Sequence, residues 1–357
     1  MPLSATAASL ATVLDEMTAE GAPELTEHLT DGALRCFACG HRCLIKDGKR
    51  GICKVRFNEG GRLRVPVNYV AALQCDPTEK KPFFHVLPGS DTLTFGMLGC
   101  DLHCAYCQNW LTSQALRDDA AVSPPNATTP ERLVAMARAY GASMVGSSYN
   151  EPLITAEWAV EVFKQAKPNG FRTAFISNGN ATPQVLDYLR PWTDCYKIDL
   201  KSMSDRNYRQ LGGVVDNILD TVKMVHERGF WEEIVTLVIP GFNDSEAELK
   251  RAADFIASVS PDIPWHITAF HQDYRMTENA NTTAEQLMRA CEIGRAAGLR
   301  YVYAGNLPGR VGRWENTYCP SCEELLVERY GYLIKQMKVP KDGKCPSCAT
   351  SIPGIWS

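Results

Sequence analysis

Eleven of the 14 cysteines in this 357-residue chain fall into three tight groups, and a chain so built is expected to fold around metal. The first group is Cys36, Cys39, Cys43 and Cys53, and the second is Cys100, Cys104 and Cys107. The third is a pair of Cys-Pro-Ser-Cys knuckles, Cys319/Cys322 and Cys345/Cys348. Cys75, Cys195 and Cys291 are scattered and read as small buried hydrophobes. Grouped cysteines signal metal ligation rather than disulfides where thiols stay reduced. The stretch from Pro2 to Met17 has no basic start, and Asp15 and Glu16 interrupt its apolar run, so it does not read as a secretion leader. No segment approaches the roughly 18 consecutive apolar residues of a membrane span. The expectation is a cytoplasmic protein without a membrane partner. With 37 basic against 41 acidic residues the net charge is −4, which argues against a nucleic-acid coat protein. A hydrophobic share of 45% excludes a largely disordered chain.

The cysteine groups also divide the chain into residues 1–75, 76–310 and 311–357. In the middle part, short β-branched runs alternate with helical patterns. Strands are predicted at 92–97, 143–149, 171–177, 196–200, 233–239, 265–270 and 300–304. Helices are predicted at 130–140, 154–167, 183–190, 216–228, 245–258 and 283–297. Thr182 and Ser245 have N-cap chemistry, and Gly170, Gly229 and Gly298 fall where helices should stop. Such alternation implies a parallel sheet, open or curved toward a barrel. Polar clusters follow six of the strands: Cys100–Cys107, Tyr149–Pro152, Ser177–Gly179, Asp199–Lys201, Pro240–Asp244, and His266 with His271. Chemistry in β/α folds gathers at the C-terminal strand edge, so these clusters predict one mouth.

Cys100, Cys104 and Cys107 have the spacing Cys-x3-Cys-x2-Cys. Three thiolates on one loop can hold three irons of a cubane cluster and leave the fourth open to an outside ligand. A structural zinc site is the alternative; it wants a fourth ligand, for which His103 is the neighbour at hand. Glu151 alone could be a helix-terminal carboxylate, and His266 alone a core histidine. Asp199 and Lys201 could be a simple ion pair.

The triad, with Tyr106 before its last cysteine, resembles that of the radical SAM superfamily. The run from Asp76 to His85 and the Cys107–Trp110 segment are similar to the pyruvate formate-lyase activating-enzyme group. Tyr149–Pro152, Leu237–Asp244, Pro264–His266, Tyr303–Asn306 and the terminal knuckles resemble the radical SAM enzyme of the AmmeMemoRadiSam system. The resemblance implies a partial (β/α)6-type radical SAM barrel with small cysteine-rich N- and C-terminal extensions. It implies a 4Fe-4S cluster on Cys100, Cys104 and Cys107 that reductively cleaves S-adenosylmethionine (SAM) to a 5′-deoxyadenosyl radical. It places Asn150 and Glu151 at the SAM amino group, where two glycines of the family's motif are replaced. Ser177, Asn178, Asp199, Lys201 and His266 would line the same site. Tyr106 would either line the adenine or merely pack, and Trp110 likewise. The implied substrate is a small molecule or peptide, the reductant a flavodoxin or ferredoxin, and the partners Memo-like and AMME-like proteins. Activation of a glycyl radical enzyme is the alternative.

The two flanking groups complete the inventory. Cys319, Cys322, Cys345 and Cys348 form a zinc ribbon, for which a rubredoxin-type iron is the other metal. Cys36, Cys39, Cys43 and Cys53 bind either zinc, the reading preferred here, or a second iron–sulfur cluster serving as an electron relay. His41 is an alternative ligand. A reading of another class makes all three groups structural zincs of a binding module, which predicts a colourless, iron-free protein.

Overall fold

A computed structural model describes residues 9–357; residues 1–8, which open the stretch read for a leader, lie outside the described residues. The largest sheet has eight strands: β1 (Ala72–Pro77), β2 (Asp91–Gly96), β3 (Met144–Ser147), β4 (Arg172–Ser177), β5 (Cys195–Asp199), β6 (Trp231–Val238), β7 (Trp265–Ala269) and β8 (Val302–Gly305). Their spatial order is their order in the chain. β2 to β8 pair in parallel, and β1 runs antiparallel along β2. A parallel sheet with no reversal of strand order is the wall of a partial barrel, as expected, rather than a doubly wound sheet with a switch point. Between its strands run α1 (Pro130–Ala139), α2 (Ala156–Ala166), α3 (Pro183–Leu189), α4 (Asp205–Leu211), α5 (Val215–Glu227), α6 (Glu246–Val259) and α7 (Ala284–Ala296). Six β/α crossovers result.

The sequence explains these elements. The seven predicted strands and six predicted helices all form, with ends shifted by one or two residues. Thr182 Oγ1 accepts from Val185 N–H at 3.2 Å, and Ser245 Oγ accepts from Glu248 N–H at 3.2 Å, starting α3 and α6. In α2 the buried stripe is Trp158, Ala159, Val162, Phe163 and Ala166, a 3.6-residue repeat turned to the sheet. Full burial of a side chain such as Phe163 stabilises by about 1.5–3 kcal/mol. The expected boundary near residue 75 falls inside β1, so the barrel sheet begins at Ala72. Cys195 and Cys291 are fully buried, whereas Cys75 on edge strand β1 is only half-buried, correcting the core reading for that residue.

Alternate residues of the strands point into the barrel and stack in layers. Met144, Ala174 and Cys195 pack with Phe83 and Val86 toward the N-terminal strand ends, and Ile176 of the same cluster continues up to the cavity. The segment around Phe84 closes that end, and the C-terminus returns to cover it, with Ile355 N–H donating to the His85 carbonyl at 2.7 Å and Leu87 N–H to the Ile355 carbonyl at 2.7 Å. The opposite, C-terminal strand end is open. No helix among the described residues is long and apolar enough to cross a membrane.

The cysteine-rich ends pack on this barrel. N-terminal strands Thr26–His28, Leu34–Cys36 and Leu44–Ile45 form one small sheet, and Thr18–Glu20, Phe57–Glu59 and Arg62–Pro66 another. At the C-terminus, Thr317–Tyr318, Leu325–Tyr330 and Leu333–Met337 form a three-stranded antiparallel sheet. Its Arg329 is buried, donating to the Phe84 carbonyl at 2.8 Å and to Thr317 Oγ1 at 2.8 Å.

Candidate active site at the barrel mouth

A cavity of about 370 Å³ opens at the C-terminal strand ends. Its wall includes Cys100, Cys104 and Cys107, together with Tyr106, Asn150, Glu151, Ser177, Asn178, Asp199 and Lys201. The expected mouth therefore forms from segments that follow β2, β3, β4 and β5. Predicted and observed parts differ at His266. Its Nε2 lies 2.6 Å from Glu233 Oε2 in a fully buried pair, and its ring packs edge-on against Phe84. Thr268, two residues on, reaches the cavity while His266 does not. The inward face of β7 carries both, and His266 occupies the layer beneath the floor.

The triad loop is held by a carboxylate that sequence reasoning missed. Asp101 is fully buried; it accepts from Asn178 Nδ2 at 2.7 Å and from Asn180 Nδ2 at 2.8 Å. Glu151 ties the next two strand ends together. Its carboxylate accepts from Leu153 N–H at 3.0 Å, Ser177 Oγ at 2.8 Å and Asn178 N–H at 2.7 Å. Burial first, and then the nearby Asp101, pushes the Glu151 carboxyl up to about 8. Among the described residues neither acid forms a salt bridge to Lys or Arg. Of the two, Glu151 lines the cavity, where a ligand's ammonium group would supply the missing cation.

Asn150 Oδ1 accepts from Met97 N–H at 3.0 Å, and the preceding Tyr149 sits at φ 66°. This tight turn abuts Gly96: a Cβ there would lie 2.5 Å from the Ser148 carbonyl oxygen and 2.7 Å from Tyr149 Cβ. Only glycine fits. Gly96→Ala should therefore destabilise the fold by about 1–3 kcal/mol, read from the urea unfolding midpoint. Across the cavity, Asp199 is shared by two lysines, Lys197 and Lys201. Burial opposes the charge on Asp199, but the two ammonium groups outweigh it and hold the carboxyl below its usual range. The trio leaves one net positive charge facing the cavity. Lys197, embedded in an apolar run, gave no signal of this in the sequence. Lys80 and Lys81 also line the mouth; Lys81 Nζ bonds Asp76 at 2.9 Å and Tyr149 Oη at 2.8 Å.

The remaining candidates find structural places. Tyr106 is buried and lines the cavity, its ring 5.7 Å from Phe242. Trp110 does not reach the cavity; it stacks on Tyr274 at 5.2 Å. Asn243 braces its loop by accepting from Ile239 N–H at 2.7 Å and donating to the Leu237 carbonyl at 2.9 Å. His103, weighed as a fourth ligand, is exposed and does not line the cavity. His271 is also exposed, its Nε2 3.1 Å from Gln108 Nε2.

The three thiols suit an iron–sulfur cluster. They share one wall, only Cys104 is nearly closed to solvent, and Leu102 N–H points at Cys100 Sγ from 3.4 Å. Burial pushes the Cys104 thiol up to about 12, against the opposing pull of Lys201. Bound iron removes that cost by taking the thiolate directly. The C-terminal cysteines form a different kind of site. All four sulfurs lie within 4.8 Å of one another, with Cys319–Cys348 at 3.5 Å and Cys322–Cys345 at 3.7 Å. Sulfurs bound at 2.3 Å to a tetrahedral zinc stand roughly 3.8 Å apart, so this set fits a single ion.

A partial barrel with three cysteines on the loop after its first parallel strand and a polar cavity beside them defines a class of metal-dependent enzyme scaffold. Residues 95–256 match the family model described as the radical SAM superfamily. The chain is 34% identical over 329 residues to an uncharacterized protein of Methanocaldococcus jannaschii, spanning 91% of this chain and 97% of that protein. It is 27% identical over 205 residues to the pyruvate formate-lyase 1-activating enzyme of Escherichia coli, 54% of this chain and 80% of that enzyme. Among solved structures, a domain of a pyruvate-formate lyase-activating enzyme from Bacteroides vulgatus aligns with 23% identity and a TM-score of 0.41, over 46% of this chain and 100% of that one. The chain belongs to the radical SAM superfamily, and the reading as a zinc-only binding module is set aside.

Proposed function

We propose that the protein is an enzyme that holds a 4Fe-4S cluster on Cys100, Cys104 and Cys107, cleaves SAM reductively and abstracts hydrogen from a small molecule or peptide. The observation that carries this reading is the convergence of the three thiols and the Glu151 carboxylate, which has no Lys or Arg partner among the described residues, on one cavity. When bound, the cluster with SAM supplies a 5′-deoxyadenosyl radical. The chain's own residues bind and orient. Asn150 and Glu151 face the SAM ammonium, while the net positive charge of the Lys197–Asp199–Lys201 trio faces its carboxylate. Tyr106 and Leu237 line the wall and limit the water around bound SAM, which strengthens the polar contacts made there. The experiment is anaerobic reconstitution with iron and sulfide, then SAM and dithionite, with 5′-deoxyadenosine measured by mass spectrometry. Formation supports the reading; a protein with full cluster absorbance and no product overturns it.

Asp101 acts here as a positioning residue. Asp101→Ala strands the amides of Asn178 and Asn180 and frees the triad loop. It is expected to lower the rate of 5′-deoxyadenosine formation about 10–100-fold, as losses of outer-sphere partners do. Iron content of the purified variant checks whether the loop, rather than the whole fold, was affected.

The C-terminal set reads as a structural zinc site, supported by its sulfur spacing. A second reading, activation of a glycyl radical enzyme, is favoured by the similarity to pyruvate formate-lyase activating enzymes. Turnover of SAM with a free small molecule, compared with a glycyl radical signal on an added partner, separates the two.

A further inference from the structure

The two four-cysteine groups look alike in sequence but are built differently. In the C-terminal knuckles, Glu323 N–H donates to the Cys319 carbonyl at 3.0 Å and Ala349 N–H to the Cys345 carbonyl at 2.8 Å. Glu323 and Ala349 adopt φ 59° and 60°, and this turn wraps the backbone around one ion. After Cys39 the equivalent turn is absent, although Lys54, after Cys53, does adopt φ 66°. Gly40, which follows Cys39 as Glu323 follows Cys322, donates instead to the Asn180 carbonyl of the barrel at 2.7 Å. Cys36 ends a β-strand, Cys43 lies in a loop, and Cys53 sits in the turn closed by Lys54 N–H and the Gly51 carbonyl at 2.9 Å. Among the described residues, no second set of ligand atoms closes to within 4.8 Å as the C-terminal one does. Neither the N-terminal cysteines nor Cys100, Cys104 and Cys107 are drawn together as tightly as the single-ion set at the C-terminus.

The surroundings point to an anionic, sulfur-rich occupant. Cys36, Cys39 and Cys53 are buried at 5–6% exposure, and Ile52 N–H is aimed at Cys43 Sγ from 3.5 Å. Arg56 is 1% exposed, and its charge acts on both Cys36 and Cys53. Two of its nitrogens pair with Glu157, at 2.6 and 2.7 Å, but its Nε is buried without a partner. An orphaned N–H beside two buried cysteines wants an acceptor, and the sulfur of a cluster is one.

The group also abuts the triad loop. Arg117 clamps the two loops with one guanidinium: it donates to the Cys100 carbonyl at 2.7 Å and to the Ile52 carbonyl at 2.8 Å. His41 Nε2 lies 3.1 Å from the Asp101 carbonyl. A Cβ on Gly99 would meet the Cys53 carbonyl at 3.3 Å. Outward, Arg42, Lys46, Lys49 and Lys54 are exposed around the group.

We propose that Cys36, Cys39, Cys43 and Cys53 hold a second iron–sulfur cluster, packed against the triad loop and relaying electrons to the cluster held there. This departs from the zinc preferred on sequence alone, and the relay role rests on the radical SAM reading above. A low-potential one-electron donor protein of the flavodoxin or ferredoxin class supplies the electron. One electron enters and one leaves for each SAM cleaved, with no proton or bond change in the relay.

The test uses the full chain, reconstituted anaerobically, with iron and acid-labile sulfide counted and spectra recorded after reduction. The decisive variant is C100A/C104A/C107A. It should keep about half of the wild-type iron and sulfide, and show a reduced-cluster EPR signal that SAM does not change. The C36A/C39A variant should keep the other half, with a SAM-sensitive signal. Sulfide excludes a lone iron in the C-terminal knuckles, which brings none. A triple variant devoid of sulfide overturns the second cluster while leaving the SAM-site reading intact, and it does so even where C36A/C39A does not fold. If wild type itself binds no sulfide, both readings fall together.

Discussion

Cys104→Ala is expected to abolish 5′-deoxyadenosine formation, down to the background of protein-free buffer. Cys104 is the middle thiol of the triad and the most enclosed, at 7% exposure, deep in the cavity wall beside Tyr106. Two remaining thiolates cannot fix a cubane with a single open iron. The loss should therefore appear in both product and iron, whereas a fault in SAM binding alone would leave the iron in place. His103 cannot step in, because its exposed ring lies outside the cavity wall. Measuring iron and product on the same preparation checks this. A variant retaining both contradicts the assignment of the triad.

The largest stability effect is expected at a residue outside the SAM cavity. Arg56→Ala should destabilise the protein by about 3–5 kcal/mol, the usual result of leaving one member of a buried ion pair alone. Arg56 and Glu157 form a two-pronged pair with side chains only 1% and 8% exposed, joining the N-terminal region to the start of α2. Truncation leaves Glu157 charged in a dry site with only Ala22 N–H, at 3.3 Å, still donating to it. The double variant Arg56→Met/Glu157→Gln removes both charges and should recover most of the loss. Urea unfolding of the three proteins tests it, and equal loss in single and double variants would show that shape, not charge, dominates.

Much of this architecture was legible because period and punctuation agree. Strands β3 to β8 are short β-branched runs, and α1, α3, α6 and α7 begin at Thr or Ser side-chain caps. β1 was not, because its residues are mostly half-buried along an edge, without an alternating pattern. The short α4 also escaped, since seven residues give little periodicity. In the site, residues that carry metal-ligand spacing or a motif could be named in advance. Asp101 and Lys197 could not: each acquires its role from partners brought near by the fold, Asn178 and Asn180 for one and Asp199 for the other. His266 shows the converse. Its motif pointed to the mouth, but strand register carries it one layer down, where Glu233 takes its ring nitrogen. Lys80 and Lys81 stood inside a recognised segment, yet only the cavity wall shows that they reach the mouth.

The central claim is that three thiolates leave one iron open to SAM. EPR of the dithionite-reduced protein, recorded with and without SAM, tests it most directly. The account predicts a 4Fe-4S signal whose g-values shift when SAM is added, and whose shift disappears in C100A/C104A/C107A. A reduced cluster whose spectrum is the same with and without SAM would contradict it.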